Sequence, residues 1–324
     1  MAASTLYQHT LSAFKSFNRL WAPVSSRYAP NQVIQQPALK KSRFSIITQN
    51  LDAFSSRPVA RAKLLPGHIL KEHKRPDIIF LQEVTSDVRA SILDNPKVRE
   101  AFLVTDAGDQ TSLEGVPFAN MTLLSSKRFA FDLESQKEEE DWVERGEKFF
   151  LGPISRVKLP SKYGRCALSA DIIPPSRPTT SYRLINVHLD SLGDTFSYRT
   201  EQMEILANLL REPGCSGGLI AGDFNAITPE DHALLDKNGL LDAWVALHGK
   251  KELDGATWGV GVERNDGLGP GRLDKIAMLG IEPEDVEILR PGLIEVPKLG
   301  EDSDYIPCSD HFGLRLDSGF TVPG

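Results

Sequence analysis

The sequence predicts an α/β protein with two stacked mixed β-sheets and helices on the outer faces. Short apolar runs alternate with amphipathic segments in the first half of the chain, and apolar runs dominate the end. Some connections between neighbouring runs are too short for parallel crossovers, so mixed sheets fit better than a purely parallel one. Residues 44–48 (FSIIT) read as a buried strand. Pro58 opens a helical pattern over 59–73, broken near Pro66-Gly67. Residues 77–84 (DIIFLQEV) form the next strand, and Ser86 is placed to cap a helix reaching toward Phe102. Met121–Ser125 is another strand. Residues 164–173 and 181–189 read as antiparallel strands joined by a proline-rich loop.

Met203, Leu206, Leu209 and Leu210 share one face of a helix over 199–211, which Pro213-Gly214 stops. Residues 218–221 form a strand, Pro229 opens a helix, and 240–247 is a further helical candidate. Strands at 272–279, 286–289 and 311–316 close the chain. One domain over 43–318 accounts for this order, with a tail at 319–324 and an arm at 1–42. The acidic segment 134–148 has two readings, a mobile flap or a solvated surface insertion, and its composition favours the second.

Composition narrows the classes. The chain has 324 residues, 25% charged and 40% hydrophobic, with a formal net charge of −7, which does not favour a broad basic groove for duplex nucleic acid. Its three cysteines, Cys166, Cys215 and Cys308, lie far apart and support neither a zinc site nor a disulfide framework. That points to a reducing intracellular compartment, the nucleus or cytoplasm. No apolar run approaches the length of a membrane span. The first acidic residue is Asp52, preceded by Lys15, Arg19, Arg27, Lys40, Lys41 and Arg43. The arm therefore has two readings, a mitochondrial targeting segment or an irregular docking arm held by Phe14, Phe17, Leu20 and Trp21.

The chemistry sits where the apolar runs end. Asn50 and Asp52 follow the first strand, Gln82 and Glu83 end the second, and His188, Asp190 and Ser191 follow Ile185–Val187. Gly222-Asp223-Phe224-Asn225 ends another strand, Asp274 lies within Arg272–Ile276, and Ser309-Asp310-His311 precedes the last. Strand ends at one edge of a sheet converge. Carboxylates gathered there are costly without a cation or a proton. A divalent metal and a phosphate ester supply the missing charges.

Taken as an ordered set, these motifs resemble the endonuclease/exonuclease/phosphatase superfamily over about residues 43–318. The resemblance implies a four-layer α/β sandwich and phosphoester cleavage with Mg²⁺ or Mn²⁺. It implies that Glu83 is the principal metal carboxylate, with Asn50 beside the metal and Asp310 a further acidic member. Asp223 would orient and deprotonate the attacking water, with Asn225 a hydrogen-bond donor. His311 would contact the scissile phosphate with Asp274 as its partner, and His188 would stand near the leaving group.

Within the superfamily the likeness is greatest to the tyrosyl-DNA phosphodiesterase 2-like, fungal-type members. It is carried by residues 159–168 (LPSKYGRCAL), 188–192 (HLDSL), 218–225, 238–244, 256–259 and 272–276. It implies a DNA repair activity, hydrolysis of a 5′-phosphotyrosyl bond to DNA, by a monomer. Ser191, Trp258 and Arg272 are the candidate substrate contacts; Trp258 either stacks on a base or anchors a loop, and Arg272 either meets a phosphate or forms an ion pair. The branch's basic residue after the Gly-Asp-x-Asn motif is absent, since Ala226 and Ile227 stand there. The alternatives are a phosphatase or phospholipase acting on inositol phosphates or sphingomyelin, and a catalytically silent binding module.

Overall fold

A computed structural model describes residues 6–26, 41–70, 75–133, 148–175, 177–249, 253–261, 268–290, 292–296 and 303–321. The chain runs β1 (Leu6–Gln8), β2 (Leu11–Lys15), β3 (Leu20–Ser26), β4 (Lys41–Asn50), α1 (Pro58–Ile69), β5 (Ile78–Val84), α2 (Ser86–Asp94), α3 (Pro96–Ala101), β6 (Phe102–Thr105), β7 (Ala119–Ser125), β8 (Phe129–Leu133) and β9 (Phe149–Lys158). It continues through β10 (Cys166–Ile173), β11 (Ser181–His188), α4 (Phe196–Leu209), β12 (Cys215–Asp223), α5 (Pro229–His232), α6 (Leu234–Lys237), β13 (Leu241–Asp242) and α7 (Ala243–His248). The last elements are β14 (Asp274–Leu279), β15 (Glu282–Leu289), β16 (Leu293–Val296), β17 (Asp304–Pro307) and β18 (Gly313–Thr321).

One sheet has the order β13-β14-β12-β11-β10-β9, with β1 on β9; the other is β2-β6-β7-β5-β4-β18-β15. β3 and β8 bridge their edges, so hydrogen bonding is continuous from one sheet to the other. Alternate residues of the central strands face different layers. Leu219 and Ala221 of β12 join Ile78 and Phe80 of β5 in the core between the sheets. Ile220 and Val187 face the layer under α4 and α6, and Ile47, Ile79 and Leu81 face the layer under α1 and α2. Each fully buried aliphatic side chain contributes about 1.5–3 kcal/mol. Three apolar layers thus separate helix, sheet, sheet and helix, which is the four-layer α/β sandwich expected.

Each sheet contains one parallel pair joined across a helix: β4 with β5 through α1, and β11 with β12 through α4. The C-terminal ends of all four strands lie together. Amides pin the sheets beneath that edge, Gln82 Nε2 donating to Asn186 Oδ1 (2.8 Å) and Asn186 Nδ2 to Met121 O (3.0 Å).

Three expectations are corrected. Residues 6–26 are not an irregular arm but three strands: β1 pairs with β9, β2 with β6 and β3 with β8. Leu11 and Ala13 alternate into the core and Trp21 packs against the α1–α2 layer, while Phe17 (75% exposed) and Leu20 (60%) sit at the exposed hairpin tip. α1 is not broken at Pro66; it starts at Pro58 and carries Pro66 inside, with Leu70 N–H donating to Pro66 O. The helix expected from Ser86 to Phe102 is two helices divided at Asn95-Pro96, with Thr85 rather than Ser86 as the first cap and Phe102 already in β6. A proline cannot donate to the preceding turn, and Asn95 caps the second helix instead. β9 was not anticipated, because Gly152 and Pro153 interrupt its apolar pattern. The acidic insertion falls outside the described residues, apart from Lys148.

Candidate active site

Asn50 is the last residue of β4 and Asp223 the last of β12, and Asn50 Nδ2 donates to Asp223 Oδ2 at 3.0 Å. The same nitrogen lies 3.1 Å from Glu83 Oε1. Glu83 sits in a β-bulge of β5 at φ +57°, a left-handed conformation that turns its side chain away from the ladder and into the site. Its other oxygen accepts from Ala53 N–H at 2.7 Å. Asn50 Oδ1 is turned to Asp52 N–H (2.9 Å), so Asn50 stands between the two carboxylates as a donor rather than offering its oxygen to them.

His188 ends β11 opposite Asp223 in the parallel register, and Asp274 opens β14 opposite Asp223 on the other side. His188 Nε2 is 3.5 Å from Asp223 Oδ2 and 3.9 Å from Glu83 Oε1. His311 Nδ1 lies 2.7 Å from Asp274 Oδ2. Its Nε2 lies 3.8 Å from both Asp223 Oδ2 and Asp310 Oδ1. Six of the expected residues from six distant segments therefore meet, with Asp310 at the rim.

The two imidazoles are shifted in opposite directions. His188 is buried with no hydrogen-bond partner on Nδ1, and its ring stacks on Phe118 at 5.5 Å. Burial, together with Arg165 and His311, pushes its pKa well below the usual histidine range. Burial also opposes charge on His311, but Asp274, Asp223 and Asp310 outweigh it and raise the imidazole well above that range. Burial, with Asp274 and Glu83 nearby, pushes Asp223 up to about 7 despite His311 and the Asn225 N–H. Burial raises Glu83 and Asp310 too, with Asp310 adding to the rise at Glu83 and Asp52 and Asp274 to that at Asp310.

That convergence of carboxylates strained toward protonation fits a hard divalent cation, which takes oxygen ligands. Glu83, His188 and Asp223 form one group whose ligand atoms lie within 4.8 Å of one another, and Asp223, Asp274 and His311 form a second.

Other expected residues take different places. Asn225, at φ +47°, aims Asp223 with its backbone N–H (2.8 Å to Oδ1), and its side chain donates to Leu189 O at 3.0 Å. Asp190 is buried away from the cluster, accepting from Ser161 Oγ (2.7 Å) and Lys162 N (3.0 Å). Trp258 Nε1 donates to Asp310 Oδ2 at 3.0 Å, which ties the edge of its ring to the rim of the site. Arg272 is not a phosphate contact here: it is 6% exposed and ion-paired with Asp242. The Asp242 carboxylate also faces Lys275 (3.5 Å), a pairing that sequence spacing alone did not reveal.

Ser191 lines a cavity of about 270 Å³ beside His188, walled by Phe54, Phe118, Tyr163, Arg165 and Leu192. Arg165 is the functional candidate that the sequence reading missed. Its side chain is 10% exposed, its Nε has no hydrogen-bond partner, and its guanidinium lies 4.8 Å from the Phe118 ring and 5.8 Å from that of Tyr163. Burial lowers its pKa, while Asp223, Glu83 and Asp190 oppose that shift. The signal available was its position in the LPSKYGRCAL run, where Arg165 immediately precedes the apolar residues of a buried strand.

The model of the Endonuclease/Exonuclease/phosphatase family matches residues 47–311, and the chain belongs to that family. Among solved structures, the chain superposes on TDP2 from C. elegans with a TM-score of 0.59 at 18% identity, over 85% of this chain and 75% of that one. D. rerio TDP2 complexed with a single-strand DNA product gives a TM-score of 0.61 at 18% identity, over 86% and 100%. A mannosyl-6-phosphatase of Bacteroides thetaiotaomicron gives 0.55 at 13% identity, over 86% and 100%. No curated protein matches the sequence.

Proposed function

We propose that this protein is a divalent-metal-dependent phosphodiesterase that hydrolyses its substrate with an activated water, and that its substrate is a 5′-tyrosyl ester of DNA. The observation that carries the reaction class is the meeting of Asp223 with His311, His188, Asn50 and Glu83 at one strand edge. Glu83 and Asp310, with Asn50 beside them, would hold Mg²⁺ or Mn²⁺, which when bound polarises the phosphoryl group and balances its charge.

The protein's own groups do the rest. Asp223, aimed by the Asn225 N–H, orients the water and accepts its proton; general-base help of this kind contributes about 10²–10⁴-fold. Asp274 fixes His311 with Nδ1–H on the carboxylate, leaving Nε2–H to donate to a phosphate oxygen. His188 presents a second N–H without adding charge.

The finer substrate reading rests on the cavity beside His188. Its walls are aromatic and aliphatic, and its one cation lies over aromatic rings, a setting that suits a planar aryl leaving group. The comparison with TDP2 bound to single-strand DNA supports a nucleic acid on the other side of the phosphate. A substrate panel with purified protein and Mg²⁺ tests this. Release of tyrosine from a 5′-tyrosyl oligonucleotide, without release of phosphate from inositol phosphates or of phosphocholine from sphingomyelin, is the expected outcome. Preference for either of the latter moves the protein to a phosphatase or phospholipase role.

A further inference from the structure

We infer that Arg61 is a positioning residue that clasps the two loops bearing the proposed catalytic groups. The inference rests on the phosphodiesterase reading above. Arg61 lies on α1, is 1% exposed, and touches none of the groups proposed to meet substrate. All of its donors point at the loop after β4 and the segment before β18. Nε donates to Ser56 O (2.8 Å), and Nη1 faces Leu51 O (3.1 Å), Asp52 Oδ2 (3.2 Å) and Cys308 O (3.1 Å). Nη2 donates to Asp52 O and to Ser55 O, the latter at 3.2 Å.

The loop held on one side contains Ala53, whose N–H fixes Glu83, and Asp52, whose N–H fixes Asn50. The segment held on the other continues directly into Ser309, Asp310 and His311. Ser309 Oγ closes the circuit by donating to Asn50 O at 2.7 Å. The loop also carries left-handed backbone at Asp52 (φ +52°) and Arg57 (φ +55°), which an unsupported chain relaxes.

Arginine suits this place because its planar fork offers five N–H donors, whereas lysine offers three from one point. Arg61→Lys keeps the charge against Asp52 but leaves carbonyls of this buried set unmet. Of the walls of the cavity that would take the leaving group, only Phe54 belongs to the held loop, so most of the loss falls on the metal and water side of the site. A misplacement of about 1 Å there costs about 10²-fold.

The test uses the full chain. Wild type, Arg61→Lys and Arg61→Ala are compared for kcat and KM on a nitrophenyl ester of thymidine monophosphate. Mn²⁺ affinity is measured by calorimetry without substrate, folding by circular dichroism, and rescue by adding methylguanidinium to Arg61→Ala. The expected result for folded Arg61→Lys is a kcat at least about tenfold lower, KM within about threefold, and weaker Mn²⁺ binding, with methylguanidinium restoring part of the kcat of Arg61→Ala. Wild-type kcat and Mn²⁺ affinity in Arg61→Lys overturn the inference. So does unfolding of Arg61→Lys with no rescue of Arg61→Ala, which assigns Arg61 to the fold alone. A wild-type protein that cleaves no phosphoester ends the functional reading instead, and the Mn²⁺ measurement then still decides whether Arg61 shapes the site.

Discussion

Asp274 Oδ2 lies 2.7 Å from His311 Nδ1, and this contact fixes both the tautomer and the charge of the imidazole that faces the centre of the site. Asp274→Asn removes the largest support for that charge while keeping the shape. Turnover is expected to fall by about 10²-fold or more, with the alkaline limb of the pH–rate profile moving to lower pH. An NMR titration of the His311 ring checks the cause: its pKa must fall in the variant.

Asp223 predicts a trade between stability and activity. Burial raises its carboxyl to about 7 in the folded chain, against 3.8 unfolded. Below about pH 4 both states hold the proton and nothing is lost; as pH rises through 7 the folded state must release it at a cost. Metal-free Asp223→Asn is therefore expected to be more stable than wild type at pH 8, by about 1–4 kcal/mol, and to lose that advantage near pH 4. Urea melts at the two pH values measure this, and turnover of the same variant should fall by about 10²-fold.

Glu83→Gln keeps acceptors for the Ala53 N–H but removes the charge proposed to hold the cation. The Mg²⁺ concentration giving half-maximal activity is expected to rise at least about tenfold, and the thermal shift on adding Mn²⁺ to shrink. An unchanged midpoint takes Glu83 out of the ligand set.

Arg165→Met keeps an apolar side chain of similar reach and removes the guanidinium that lies over Phe118. The KM for aryl esters should rise more than the KM for alkyl esters. Equal changes for both point to the phosphate, rather than the leaving group, as the partner of Arg165.

Gly222 gives a stability prediction. It adopts φ +147°, and a Cβ there would lie 1.9 Å from Val187 O across the parallel β11–β12 pair. Gly222→Ala is expected to cost at least about 2 kcal/mol, read in a urea melt.

The fold and most of the site were legible because both depend on local pattern. Asn50, Glu83, His188, Asp223 and Asp274 sit at or beside strand ends, and the apolar run that buries each strand also carries its end to one edge. Gly222 was visible as part of a motif, but its reason is a close approach between strands that only the pairing reveals. Other features depend on partners far away in sequence. Arg272 pairs with Asp242, Arg165 rests on Phe118, and Trp258 holds Asp310, and no spacing announces those contacts. The N-terminal strands were hidden because their pairing partners, β6, β8 and β9, lie elsewhere in the chain.

The central claim is that these gathered side chains form one metal-dependent hydrolytic centre. Hydrolysis of the thymidine monophosphate nitrophenyl ester, followed with Mg²⁺ and with EDTA for wild type and Asp223→Asn, tests it most directly. The account predicts nitrophenol release by wild type with Mg²⁺, its loss in EDTA, its return on adding Mg²⁺ back, and a rate for Asp223→Asn lower by about 10²-fold. Equal rates for wild type and Asp223→Asn, or a rate indifferent to EDTA, would contradict it.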